Sequence, residues 1–177
     1  HSESAYAATG TQLSIASGRL AFALGTHGPC MSIDTACSSA LVAISCAMQY
    51  GHAGADAFGL SVAAAVNMML LPLASLPFAS AGMLSTDGRC KAFDAHANGY
   101  VRAEGICASV LTAGAGEALH NLRSCTVRSD GRSASLTAPN GSAQAQMVRT
   151  ALTMAGSLGL HVVEAHSTGT PLGDPTE

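Results

Sequence analysis

Cys37 lies in the stretch HGPCMSIDTACSSALVAI, residues 27–44, behind Asp34, Thr35 and Ala36 and ahead of Ser38 and Ser39. An apolar run gives way there to a turn of small residues and then to a helical pattern. A cysteine at the start of a helix meets unpaired backbone N–H groups and the positive end of the helix dipole, and both favour the thiolate. A sharp strand–turn–helix junction also exposes the side chain, with the following N–H groups available to an oxyanion. Position alone favours a buried structural cysteine, the common fate of a free thiol, over a nucleophile. A nucleophilic cysteine needs a basic partner. Among seven histidines, His166 follows the apolar run LHVVEA and opens a loop of Ser167, Thr168, Gly169 and Thr170. Hydroxyls beside a glycine suit an elongated polar ligand; the alternative is a plain surface histidine at a strand end. His161 stands five residues before His166, which puts the two on opposite faces of a strand, so no metal pair is expected. His27, His52, His96 and His120 lie in polar or junction stretches and are expected in solvent.

The stretch DGRCKAFDAHANGYVRAEG carries Asp87, Arg89, Lys91, Asp94, Arg102 and Glu104, a large share of the chain's charge. A solvated loop tied by ion pairs is the preferred reading, ahead of direct catalysis. No phosphate loop is present, because GAGEAL lacks the third glycine. The cysteines at 30, 37, 46, 90, 107 and 125 include no C-x-x-C pair, so neither a zinc site nor a thioredoxin motif is expected.

The elements that must position these residues follow from periodicity. Residues 11–25 are helical or irregular, and 28–34 form a short apolar strand ending at Asp34. Leu41, Ala43, Ile44, Ala47 and Met48 recur at helical spacing over 37–50, with Gly51 as the expected stop. Ser38 and Ser39 sit where orphan backbone donors need partners. A buried strand is expected over 57–66, then an apolar loop broken by Pro72 and Pro77. A glycine-rich polar loop over 82–100 leads to a strand over 101–113. Further strands are expected over 124–128 and 160–165, with a helix over 142–157 between them. Strands alternating with helices argue for an α/β fold with buried strands. A soft boundary falls near 114–123.

Composition narrows the function classes. The chain has 177 residues, enough for one domain with a core. Its net charge of −3 offers no basic field for nucleic acid. Charged residues are only 11%, against roughly 25% in typical domains. That scarcity fits a chain buried in an oligomer or belonging to something larger. The uncharged run over 57–78 is long enough to span a bilayer. It holds Asn67, Pro72 and Pro77 with no flanking Lys or Arg close by, so no membrane span is expected. The polar opening HSESAYAATG is no signal peptide, and reduced thiols in a cytosol-like compartment fit the cysteines. The chain lacks a starting Met and stops at LGDPTE; both ends are expected to be cuts, with any organelle targeting outside them.

Taken together, DTACSSALVAI and, far downstream, VEAHSTGTPLGDPTE resemble the β-ketoacyl synthase (ketosynthase) domains of polyketide and fatty acid synthases. GMLSTDGRCKAFDAHANGYVRAEG and DGRSASLTAPNGSAQ, between them, are similar to the type I polyketide branch. The resemblance runs from about Gly10 to Glu177 with four motifs in order. It implies a thiolase-like layered αβαβα fold, of which this fragment spans the end of the first half, residues 1–116, and the start of the second, residues 117–177. It implies that Cys37 accepts the acyl chain and that His166 is the first of two active-site histidines. Thr168 and Thr170 would contact the pantetheine arm of the carrier, with Ser38 beside the substrate. The implied reaction is decarboxylative Claisen condensation of an acyl-cysteine with a malonyl-type thioester on acyl carrier protein. No cofactor is bound in such a domain; the substrate rides on the carrier's phosphopantetheine. Partners implied are acyl carrier protein, other synthase domains and, when complete, a second copy, in the cytoplasm.

Three departures from the family pattern are visible. The second histidine and the lysine before it are absent, so the chain alone is expected not to condense. Ser167 replaces a customary glycine; where that position needs positive φ, a serine costs about 1 kcal/mol. Arg128-Ser129-Asp130-Gly131-Arg132 replaces an Asn-Gln-Asp-Gly-Arg pattern. The alternatives carried forward are a fatty acid synthase-type enzyme, a non-condensing homologue that holds acyl chains, and a cysteine hydrolase built on Cys37 and His166.

Overall fold

A computed structural model describes residues 4–53, 59–114, 117–156 and 159–177. The chain divides into two compact units, His1–Ala43 and Ile44–Glu177.

The first unit holds helices α1 (Ala7–Thr11) and α2 (Leu13–Leu24) and the start of α3 (Ser39–Ala53). Gly25 ends α2 in the left-handed region at φ 65°, its N–H reaching the carbonyls of Ala21 and Phe22. Residues 28–34, expected as a strand, pair with no strand among the described residues. Instead Ser32 Oγ donates to Ser17 Oγ at 3.2 Å and accepts from the Ser17 N–H at 3.3 Å, which ties this segment to α2.

The second unit is built on β1 (Leu60–Asn67) and β2 (Gly105–Thr112), paired antiparallel from Leu60↔Thr112 to Asn67↔Gly105. The expected strand over 57–66 is found from residue 60; its first two positions lie outside the described residues. Ala63 is buried, while Leu60, Val62, Val66, Ile106 and Val110 are exposed. The expectation of buried strands is therefore corrected: a ladder of two strands has no described layer over its faces.

Gly51 does not end α3, which continues to Ala53. A Cβ on Gly59 would meet the Gly51 carbonyl oxygen at 3.0 Å. The two glycines serve a close approach of helix and strand rather than a cap. Pro72 and Pro77 do not merely break a loop. Each occupies the first turn of a short helix, the 3₁₀ turn Pro72–Ser75 and α4 (Leu76–Ser80), where a missing N–H costs nothing.

Helix α5 (Gly141–Ala155) matches the periodicity. Asn140 caps it, its side chain accepting from the Ala143 N–H at 3.2 Å, and Gly156 closes it at φ 61°. Residues 124–128 and 160–165, expected as strands, join no ladder among the described residues. Ser124 and Thr126 lie along α5, donating to the carbonyls of Ala151 and Met147 at 2.8 and 3.4 Å. No helix among the described residues is long and apolar enough to cross a membrane.

Candidate active site

Cys37 is exposed on the turn that leads into α3. Ala36, immediately before it, sits at φ 57°, a left-handed conformation that an alanine adopts only when its surroundings hold it. Those surroundings are local. The Asp34 carboxylate accepts from the Ala36 N–H at 3.0 Å. Ser39 Oγ accepts from the Thr35 N–H at 2.8 Å and donates to the Ala36 carbonyl at 2.7 Å. Ser38 Oγ donates to the Thr35 carbonyl at 2.9 Å and lies 2.8 Å from Thr35 Oγ1. Asp, Thr and Ser thus bond the backbone of their own turn, as short polar side chains do. Ser38, expected beside the substrate, spends its hydroxyl on this turn.

His166 belongs to the second unit, exposed, at the head of the loop 166–177. Ser167 stands at φ 48°, so the condition under which a serine is strained there is met. Its N–H donates to the Glu177 carboxylate at 2.9 Å. Thr168 and Thr170 come together, their Oγ1 atoms 3.4 Å apart and half-buried. Thr170 Oγ1 also accepts from the Gly173 N–H at 3.1 Å.

Sequence reasoning missed Asp174. It is 7% exposed, and its two carboxylate oxygens reach two separate loops. Oδ1 accepts from the Gly169 N–H at 2.9 Å, and Oδ2 from the Phe93 N–H at 2.7 Å. Gly169, at φ 68°, turns its carbonyl to the Gly99 N–H at 2.9 Å. A Cβ at Gly169 would meet Gly99 and Lys91 backbone atoms at 3.1–3.2 Å, so only glycine fits comfortably. Phe93 is itself held at φ 54°. Along this seam Phe93, Asp94, Ala97, Thr170, Pro171 and Pro175 line an open cleft of about 470 Å³. An acidic residue next to proline in LGDPTE was the available signal, but a turn explains it equally well.

The charged stretch is ion-paired as expected at Asp87 and Asp94, whereas the Arg102 Nε is buried. Lys91 Nζ lies 2.6 Å from Asp87. That ammonium, then the Ser85 hydroxyl and the Asn98 amide, hold the Asp87 carboxyl well below the usual carboxylate range. Asp94 is lowered by the His96 backbone N–H and then by the His96 ring. His96 is exposed, as expected; the side chain of His52 lies outside the described residues. Arg102 stacks over Phe78 at 4.5 Å. Glu104 accepts from the Met69 N–H at 2.6 Å. No metal-binding cluster occurs among the described residues.

Comparison with known proteins adds the wider context. Residues 1–115 match the β-ketoacyl synthase N-terminal domain, and residues 119–177 match the β-ketoacyl synthase C-terminal domain. The chain is 43% identical over 185 residues to a mycocerosic acid synthase-like polyketide synthase of Mycolicibacterium smegmatis, covering 99% of this chain and 9% of that protein. It is 42% identical over 180 residues to an erythronolide synthase of Saccharopolyspora erythraea, covering 97% of this chain and 5% of that protein. The oxazolomycin ketosynthase domain of Streptomyces albus superposes with a TM-score of 0.87 at 36% identity, over 94% of this chain and 30% of that one. The module 6 ketosynthase of the Bacillus subtilis bacillaene synthase gives 0.81 at 33% identity, over 95% of this chain and 31% of that one. The chain thus spans less than a tenth of the curated relatives it matches and under a third of the solved ones. It belongs to the β-ketoacyl synthase family, in the ketosynthase branch of type I polyketide synthases, and has that branch's thiolase-like fold.

Proposed function

We propose that this chain carries the acyl-accepting half-reaction of a condensing ketosynthase, with Cys37 as nucleophile and His166 as the group that stabilises the enolate. The observation that carries this reading is the strained, hydrogen-bonded turn that presents an exposed Cys37 directly ahead of α3. The Cys37 thiolate attacks an acyl thioester; the carrier's thiolate leaves and takes up a proton. A malonyl-type thioester then loses carbon dioxide. The C–C electron pair moves into an enolate, whose oxygen accepts a hydrogen bond from His166. The carbanion attacks the acyl-Cys37 carbonyl, the Cys37 thiolate is expelled, and a β-ketoacyl thioester remains on the carrier. Cysteine suits both steps, because a thiolate is a strong nucleophile and a good leaving group.

Thr168 and Thr170 would contact the pantetheine arm, with Ser38 beside the acyl chain. Acyl carrier protein delivers both substrates on phosphopantetheine, and the domain holds no cofactor of its own. Residues 1–116 and 117–177 would contribute to the two ketosynthase halves, in a homodimer with other synthase domains attached. A reducing, cytoplasmic setting completes the reading. A fatty acid synthase-type substrate is the variant reading. The strain at Ser167 favours one further reading, a homologue that holds acyl chains without condensing them.

The test is intact-mass analysis of the chain after exposure to an acyl-N-acetylcysteamine thioester. One acyl mass on the peptide holding Cys37, lost in Cys37→Ala, is expected. No acyl mass on Cys37 refutes the reading. Rapid release of free acid, unaffected by a malonyl donor, would make the protein a hydrolase instead.

A further inference from the structure

His166 has no side-chain hydrogen-bond partner among the described residues, so its position comes through its backbone. That backbone is fixed at three points. Glu177 takes the Ser167 N–H, Gly99 donates to the Gly169 carbonyl, and Asp174 takes the Gly169 N–H. Gly99 and Asp174 both tie it to the 82–100 loop, Gly99 through its own backbone and Asp174 through a side chain that takes the Phe93 N–H. Its carboxylate joins segments 81 positions apart in sequence and is buried with no cation paired to it among the described residues. Two N–H donors from different loops need two acceptor atoms, which a carboxylate has and an amide lacks. The bonds are charge-assisted, shielded from water, and fall on residues in left-handed backbone, Phe93 at φ 54° and Gly169 at φ 68°.

We propose that Asp174 is the positioning residue of the His166 loop, a clamp on the Phe93 and Gly169 amides that sets where the imidazole stands. The inference rests on the reading of His166 as the enolate-stabilising group. Asp174→Asn keeps size and shape but turns an NH₂ toward one of the two N–H donors. One bond is lost and two donors face each other. A displacement near 1 Å at the imidazole lowers a rate by roughly a hundredfold.

The experiment uses the full-length protein and malonyl-N-acetylcysteamine, following carbon dioxide release, with acylation of Cys37 measured in parallel. Asp174→Asn is expected to cut decarboxylation 10- to 100-fold while the acylation rate stays within about twofold. His166→Ala with Asp174→Asn is expected to be no slower than His166→Ala alone, because a residue acting through His166 has nothing left to position. If Asp174→Asn does not fold, the pair Phe93→Gly with Asp174→Asn carries the same readout, since glycine takes positive φ without the clamp. Unchanged decarboxylation in the folded variant, equal losses of acylation and decarboxylation, or further loss in the double variant each overturns the proposal. Unchanged decarboxylation in His166→Ala itself would instead refute the underlying reading of His166.

Discussion

Gly99 is the position where a single methyl group should do the most damage. At φ 121°, its missing Cβ would lie 2.5 Å from the Met83 carbonyl oxygen and 2.7 Å from both the Leu84 carbonyl carbon and the Ser85 nitrogen. All three are backbone atoms, so no side chain can swing aside. Segment 83–85 must move, and it is held by Tyr100 N–H to Met83 carbonyl and Ser85 N–H to Tyr100 carbonyl, each 3.0 Å. The Gly99 N–H to Gly169 carbonyl bond, 2.9 Å, is strained with them. Three hydrogen bonds at about 1 kcal/mol each, with about 1–2 kcal/mol for an alanine at positive φ, give a loss of about 4–5 kcal/mol for Gly99→Ala. With a urea slope of about 2 kcal/mol/M, the midpoint should fall by about 2 M. Gly105→Ala is the control: it lies in β2 with open space around it and is expected to change stability by less than about 0.5 kcal/mol. The measurement is urea unfolding of the full-length protein followed by circular dichroism. Equal midpoints for the two variants would show that the close approach of Gly99 to segment 83–85 is wrong.

Two further outcomes follow from the same geometry. Ser167→Gly relieves a left-handed strain of about 1–2 kcal/mol against a glycine entropy cost of about 0.5–1 kcal/mol, so the protein should gain about 0.5 kcal/mol; a loss above about 1 kcal/mol in thermal unfolding would contradict the positive φ. Asp87 has a depressed folded pKa, set first by Lys91, so its contribution is present above the ordinary carboxylate value of 3.8 and is lost only as pH falls through the lower folded one. The Asn98 side-chain amide resonance should hold from pH 7 to about 4 and move only in stronger acid, and a midpoint at 3.8 would sink this account.

Much of the local structure was legible in residue types and local order. The turn around Cys37 is held by Asp34, Thr35, Ser38 and Ser39, all within a few residues of one another, so its reading from sequence needed no distant contact. Helix α5 likewise followed from its period, while its caps, Asn140 and Gly156, came from the structure. The strain at Ser167 was framed correctly as a condition, and the backbone meets it. Sequence alone could not say that Gly51 lies within α3, because its role is set by Gly59 approaching from β1. Nor could it tell strand-like patterns from paired strands: residues 28–34, 124–128 and 160–165 have such patterns, yet a ladder depends on a neighbour that pattern does not supply. Asp174 is the sharpest case. Its motif marks a turn, while its partner Phe93 lies 81 positions away. Local hydrogen bonding and periodicity are written in consecutive residues, so the sequence determined the cysteine turn, helices α3 and α5, and the family. Which loops meet, and which carboxylate joins them, was decided only when tertiary folding brought distant backbone donors to one buried acceptor.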